Sequence, residues 1–462
     1  MNQQTEATSI QAAGSAERVG FGEKLAYGSG NFAEMMIFNP ATTFMVFFYT
    51  DIVGIAAATV GTLMLFSRVF DLLNPMLGML VDRTKSRHGK ARPWLLWMAV
   101  PFGISAVLLF SAPSLSPLGK VIYAFVTYNL ALTIIYSFID VPFAALLPLI
   151  THDQQDRTTL SLSRMIQGQF GGMVSFAITM PLVGFFGGGA HGWQMAFVVF
   201  GAVATALLLV CFSATRERVT PSAHAGHHEH VPMKKAAASL LGNKYWLMLA
   251  GMLFTLFLMI GFFGSNLYFC RYFLHDVGRF GPLMTCYQIV LIGGMFVTGP
   301  LTRKFGKRNL ALAGLAVSIL GQLVIFTGPT SYAIVLAGTM IKAAGASPLV
   351  GVLFAMVADS IEYGDWKFGV RVEGLAYGTI ALAAKISVGL GNVLVGWILG
   401  LSGYVNGAAT QTAPVLFAIK AMFIHIPLAF LLVAGVLLWF YKLDQQYASI
   451  IADLKQRRNA AL

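Results

Sequence analysis

About twelve apolar runs, most of them twenty residues or longer, divide this sequence: roughly 25–50, 55–81, 94–112, 118–147, 160–187, 191–213, 245–272, 282–302, 309–328, 331–359, 372–402 and 415–441. A helix rises about 1.5 Å per residue, so about twenty residues cross a hydrocarbon core of about 30 Å. Backbone crossing that core must satisfy its own hydrogen bonds, which continuous helices do. The scarcity of charge agrees. Only 11% of the residues are charged, against about a quarter in soluble domains. The expected class is an all-α membrane protein embedded in a lipid bilayer.

The formal net charge of +12 is not read as a nucleic-acid footprint, because the basic residues form short clusters between apolar runs rather than one folded face. Alternate connections carry them: Arg83, Lys85, Arg87, Lys90 and Arg92; Arg157; Arg216, Arg218, Lys234 and Lys235; Arg303, Lys304, Lys307 and Arg308; Lys367 and Arg371. The connections between hold almost none. Lysine and arginine mark the cytoplasmic side, so both termini are expected in the cytoplasm and the number of spans even. Residues 1–21 lack the apolar core of a signal peptide and read as a cytoplasmic tail. A polar stretch, 215–243, divides the chain into runs 22–214 and 244–442, and 443–462 forms a second tail. His224, His227, His228 and His230 lie in the dividing stretch; a metal-sensing loop and a solvated linker are both open readings, and the linker is the plainer one. Cys211, Cys270 and Cys286 show no metal or disulfide spacing, and no cofactor is expected.

The two halves echo each other. A glycine-led basic turn starts at Gly78 and again at Gly299, and an acid ends an apolar run at Asp140 and again at Asp359, so both features recur about 220 residues later. This spacing predicts a duplicated six-helix unit, twelve transmembrane helices in two bundles, with a site between them near the midplane, the major facilitator architecture.

Ionisable groups within the spans are costly, by about 2.5–3.5 kcal/mol each on insertion scales, and so point to function. They are Glu34, Arg68, Asp71, Asp140, Arg164, Lys342, Lys385 and Lys420. Lys385 is the clearest: it sits mid-run, too deep for its side chain to reach the interface. Asp71 is also near the middle of its span. The expectation is that Asp71 and Lys385 meet across the two halves, and that a cation arriving at Asp71 loosens the pair. Other readings stand beside this. Arg68 and Asp71, three apart, fit a structural pair on one helix face; Lys342 and Lys420 read as interfacial; Glu34 fits a local hydrogen-bonding role. Bases outnumber acids at these positions, and an arginine fork suits a carboxylate or sulfonate. An anionic solute follows.

Four stretches then carry a resemblance: EKLAYGSGNF followed by FFYTDIVGI; GTLMLFSRVFDLLNPMLGMLVDRTKSRHGKARPW; YSFIDVPFAALLPLITHDQQDRTTLSLSR; and MVADSIEYGDWKFGVRVEGLAYG with Lys385 downstream. From about 21 to 445 the chain resembles the glycoside–pentoside–hexuronide:cation symporters, the family of the melibiose and glucuronide permeases. The resemblance implies a sugar symporter of the bacterial cytoplasmic (inner) membrane. It places Asp71, Asn74 and Ser137 at the cation site, Asp140 and Arg164 on the sugar, and Lys385 between the two. Departures shape the rest. Pro75 follows Asn74 where melibiose permeases carry a second cation-site acid, so a sodium cage is poor and a proton is the favoured coupling ion, with Na+ the alternative. Ala144 and Val350 replace two sugar-stacking tryptophans, and Met35, beside Glu34, replaces an acid. Glu34, Tyr136, Tyr377 and Arg68 complete the candidate substrate set.

The expected activity is import of a sugar or glycoside, an acidic one such as a hexuronide, glucuronide or sulfosugar, by alternating access. Asp82, Arg83, Arg87, Asp359 and Arg371 are the candidate cytoplasmic gate. A neutral glycoside or pentoside symporter, an uncoupled facilitator, a non-transporting sugar sensor and, more distantly, a lipid transporter are the alternatives. No nucleophile–base set, HExxH or Walker loop argues for an enzyme.

Overall fold

The structure, a computed structural model, describes residues 19–73, 80, 83–84, 86–151, 153–219, 233–370 and 372–460; the side chains of 71–73, 154, 233, 455 and 458–460 lie outside the description. Among the described residues the architecture is carried by α1 (Phe21–Phe47), α2 (Ala57–Ser67), α3 (Arg92–Leu109), α4 (Pro117–Ile150), α5 (Gln154–Phe185), α6 (Gly189–Ala214), α7 (Lys244–Tyr272), α8 (Phe280–Phe305), α9 (Lys307–Thr327), α10 (Tyr332–Phe368), α11 (Glu373–Leu401) and α12, which runs Ala413–Lys420, takes a π turn at Ala421–His425 and continues Ile426–Phe440, with shorter helices at Met233–Leu241 and Tyr447–Ala460. Among the described residues, α3 to α12 are long and apolar enough to cross a membrane, ten in all. The apolar stretch beginning with α2 is shorter, Ala57–Phe70, and ends in a 3-10 turn, Arg68–Leu73. α1 falls outside the ten; it carries Glu23, Lys24, Asn31, Glu34 and Asn39 among its apolar residues.

Local chemistry sets the ends and bends. Ser116, Asp153 and Asn243 accept a backbone N–H from Gly119, Asp156 and Trp246, capping α4, α5 and α7. Prolines lie inside α1 (Pro40) and α4 (Pro142 and Pro148), where each removes a donor from the helical ladder. α4 widens into a π turn over Asn129–Ile135. There Asn129 donates Nδ2 to Ser67 Oγ at 2.9 Å, tying α4 to the end of α2. Gly306, at φ 78°, makes the turn from α8 to α9 in a backbone region that favours glycine.

Packing follows a repeated plan. In the first half α1 packs on α5 and α6, α3 on α6, and α2 on α4; in the second, α7 packs on α11 and α12, α9 on α12, and α8 on α10. Each pairing of the first set recurs six helices later. The halves meet along α2 with α11 and α5 with α8, two crossings that exchange places under the same shift. The α2–α11 crossing is close because it is made by glycine: a Cβ at Gly396 would stand 2.8 Å from the Ala57 carbonyl oxygen and from the Gly61 backbone. A leucine there must push the two helices apart, and overpacking typically costs about 1–3 kcal/mol. Gly396→Leu is expected to lower the melting temperature and to loosen this seam, as read by cross-linking between cysteines placed on α2 and α11.

Candidate functional site

A cavity of about 550 Å³ opens between the two sets of helices. Phe38 and Thr42 of α1, Arg68 after α2, Tyr128, Tyr136, Ser137 and Asp140 of α4, Phe257 of α7, and Lys385 and Asn392 of α11 are among its lining residues. Its wall is mostly apolar, with three charged groups and a few hydroxyl and amide groups, the usual make-up of a small-molecule site.

α4 supplies the acid. Asp140 is half-exposed to the cavity, and Arg164 Nη2 of α5 donates to its Oδ1 at 3.2 Å. The Arg164 guanidinium lies over the Phe143 ring, 4.6 Å from its centroid, and Phe143 stacks on Tyr27. The ring holds the fork in place while Asp140 shares it. Glu34, expected in the substrate set, is wholly buried behind this pair rather than on the cavity wall. Tyr136 is buried and stacks on Phe38, centroids 4.7 Å apart. Tyr377 is over a third exposed on α11, with its neighbour Gly378 at the cavity.

Lys385 and Ser137 meet across the halves: Lys385 Nζ donates to Ser137 Oγ at 3.3 Å. Arg68 donates Nη2 to Tyr128 Oη at 2.7 Å and Nε to the Met64 carbonyl at 3.4 Å. The Asp71 side chain and Asn74 lie outside the description, so the expected Asp71–Lys385 meeting does too. Of the candidate gate, Asp82 and Arg371 lie outside the described residues; Arg83 and Arg87 are exposed at the basic end. Asp359 is paired within its own half, taking Lys307 Nζ at 2.5 Å. Lys342 departs from the interfacial place expected of it. It is buried on α10, with Nζ over the Phe423 ring. Two small residues explain this: Gly321 on α9 and Gly338 on α10 let those helices close until a Cβ on Gly321 would meet the Lys342 backbone at 2.5 Å.

The basic end is strapped within each half. Glu217 accepts the backbone N–H groups of Lys90, Ala91 and Arg92 at the start of α3, a carboxylate at a helix N-terminus. Arg218 makes a two-pronged contact with Glu23, both bonds 2.8 Å. Lys24 reaches Asp156 at 2.6 Å.

The opposite end is closed across the halves. Asp51, in the π turn Phe48–Ile52 that ends α1, has a carboxyl only 1% exposed and pairs with Arg271 of α7 at 2.5 Å. Tyr404 donates its hydroxyl to both Asp51 oxygens at 2.8 and 2.9 Å, and Gly407 N–H donates to Oδ1 at 3.3 Å. Thr50 and Tyr268 share a hydrogen bond of 2.7 Å, and Asn406 Nδ2 donates to the Ile55 carbonyl at 2.9 Å. Sequence reasoning passed over this cluster, because it weighed charges deep within spans. The signal was an acid and a base, Asp51 and Arg271, at the charge-poor ends of runs in opposite halves.

Comparison with known proteins supplies an independent reading. The family described as "MFS/sugar transport protein" matches residues 26–445. The isoprimeverose transporter of Lactiplantibacillus pentosus is 34% identical over 447 residues, 95% of this chain and 92% of that one. The glucuronide carrier protein homolog of Escherichia coli K12 is 30% identical over 452 residues, 94% of this chain and 95% of that one. Among solved structures, a D-xylose–proton symporter superposes with a TM-score of 0.66 at 12% identity, covering 92% of this chain and 99% of that one, a likeness of fold.

Proposed function

The chain belongs to the MFS/sugar transport family, among the glycoside–pentoside–hexuronide:cation symporter type to which its motifs point, and from that premise we propose that it imports an acidic sugar or glycoside together with a proton. It is a multi-pass membrane protein of a secondary sugar transport family. The finer reading has twelve crossings of a bacterial inner membrane, in bundles 22–214 and 244–442, with both termini cytoplasmic. On that orientation the contacts of Asp51 with Arg271 and Tyr404 tie the halves together at the periplasmic end. The observation that carries the proposal is the cavity between the halves, which brings Arg68, Asp140 and Lys385 to one wall-lined space with Arg164 behind Asp140.

The roles follow from chemistry. Arg164 and Lys385 grip the solute's carboxylate or sulfonate, and Asp140 accepts its hydroxyls. Asp71 with Asn74 and Ser137 forms the cation side, reached through Lys385. A half-exposed carboxylate at Asp140 is itself a good acceptor for neutral hydroxyls, so a neutral glycoside is the second reading. Counterflow in proteoliposomes separates them: exchange of methyl glucuronide in preference to methyl glucoside supports the acidic reading, and the reverse preference replaces it. Arg164→Ala removes a charge-assisted contact worth about 1.5–3 kcal/mol. It is expected to weaken binding of the charged glycoside by roughly ten- to a hundredfold and to leave the neutral one far less affected, as measured by calorimetry. Equal losses would remove Arg164 from the anion site.

A further inference from the structure

Behind the cavity wall lies a carboxyl group that the transport reading leaves without a task. Glu34 of α1 is 0% exposed, and among the described residues neither of its oxygens has a hydrogen-bond donor. Burying an ionised carboxylate without donors is costly, so such a group keeps its place by binding a proton or by being used. Ionisable groups from four helices act on it: Tyr27 on its own helix, Tyr136 and Asp140 from α4, Arg164 from α5, and Cys211 from α6. One of these is a cation, Arg164, and its Nη2 is given to Asp140 at the cavity.

We propose that Glu34 is a proton-binding site of the transport cycle, and that its proton and a substrate anion bind cooperatively because Glu34 and the anion compete for the charge of Arg164. The proposal rests on the acidic-sugar, proton-coupled reading above and adds a second protonation site to the one around Asp71. With Glu34 ionised, two carboxylates share one guanidinium, and the cluster offers an anion no net positive charge. One proton from the cavity water, added to a Glu34 oxygen, leaves a neutral acid. No other bond changes. Arg164 then balances Asp140 alone, and the repulsion that Glu34 exerted on an incoming carboxylate or sulfonate is gone. Loss of the proton on the far side restores that repulsion and expels the solute. By linkage, anion binding tightens proton binding by the same factor.

The test uses the purified full-length protein in detergent. Methyl glucuronide and methyl glucoside binding are titrated across pH for wild type and Glu34→Gln, and infrared difference spectra between acidic and alkaline pH are recorded without ligand. Wild-type affinity for the glucuronide is expected to fall about tenfold or more as pH rises, within the range of ordinary coupling factors. E34Q, a mimic of the protonated acid, is expected to hold the high affinity across that range and to lack one carboxylic-acid band. A wild-type pH profile or an unchanged infrared difference spectrum in E34Q overturns the proposal. Binding of the glucoside alone defeats the acidic-sugar reading and the cooperativity with it, whereas Glu34 protonation is still decided by the infrared arm. If E34Q does not fold, Glu34→Asp keeps a carboxyl in a new position. A displaced midpoint of the glucuronide profile supports the proposal, and an undisplaced one overturns it.

Discussion

Replacing Arg271 with alanine is expected to unlatch the end of the molecule opposite the basic loops. The pair it makes with Asp51 joins α7 to the end of α1, and the Asp51 carboxyl is almost fully buried. Removing one partner of a buried pair costs about 3–5 kcal/mol, because a charge is left in a place built for two. Tyr404 and the Gly407 amide still donate to Asp51, so the lower end of that range applies, about a hundredfold in the balance between closed and open states. The readout is a single cysteine at Ala381, on the cavity wall, in a chain whose three native cysteines have been replaced. In right-side-out vesicles a membrane-impermeant maleimide should label it much faster when Arg271 is alanine. Asp51→Asn is gentler, since the amide still accepts from Tyr404, and a smaller acceleration is expected. Labelling at the parental rate in both would mean that Thr50–Tyr268 and the glycine seam of α2 and α11 hold this end shut without the ion pair.

The second large effect is expected at Lys385. Its ammonium reaches from α11 to Ser137 on α4, which makes it a direct polar link between the halves inside the cavity. An ammonium at that depth cannot reach the interface and keeps its place through partners and water. Lys385→Ala is expected to abolish accumulation of the sugar against its gradient while exchange of sugar for sugar continues at reduced affinity. The affinity loss is roughly ten- to a hundredfold for a charge-assisted contact. Ser137→Ala, which removes only the hydroxyl, should lower affinity by no more than about tenfold. The pair of measurements separates coupling from binding. Accumulation that survives in Lys385→Ala would place ion coupling elsewhere in the molecule, and full retention of affinity would take the ammonium away from the solute as well.

Much of the architecture was legible because its physics is local. Long apolar runs became helices, and the helices run beyond the apolar stretches where polar residues find partners. α5 begins at Gln154, ahead of the run starting near 160, because Asp153 caps it. α10 continues to Phe368, past Asp359, because Lys307 meets that acid. The repeat inferred from two recurring motifs reappears as paired helix contacts. Charge depth brought Arg68, Asp140 and Lys385 to the cavity by a sound argument, since a buried charge needs a partner or water. It was blind to two things. Which face a charge takes depends on neighbours far away in sequence, so Glu34 lies behind the cavity, and Lys342 is enclosed where two glycines draw α9 against α10. Pairs formed only when separate halves meet, such as Asp51 with Arg271, leave no periodicity within either half. Apolar cavity residues such as Phe38 and Phe257 were equally silent, since any membrane helix is full of them.

The exchange of crossings noted in the fold, α2 with α11 against α5 with α8, has a consequence for motion. The two crossings are equivalent positions of the repeat, each made by one helix from either half. An axis along the membrane normal relates such parallel halves, so rocking one half against the other loosens or tightens both crossings at the same end of the molecule. A rocking stroke of that kind asks for no bending within a half, and loosening either crossing is expected to shift the same balance in the same direction.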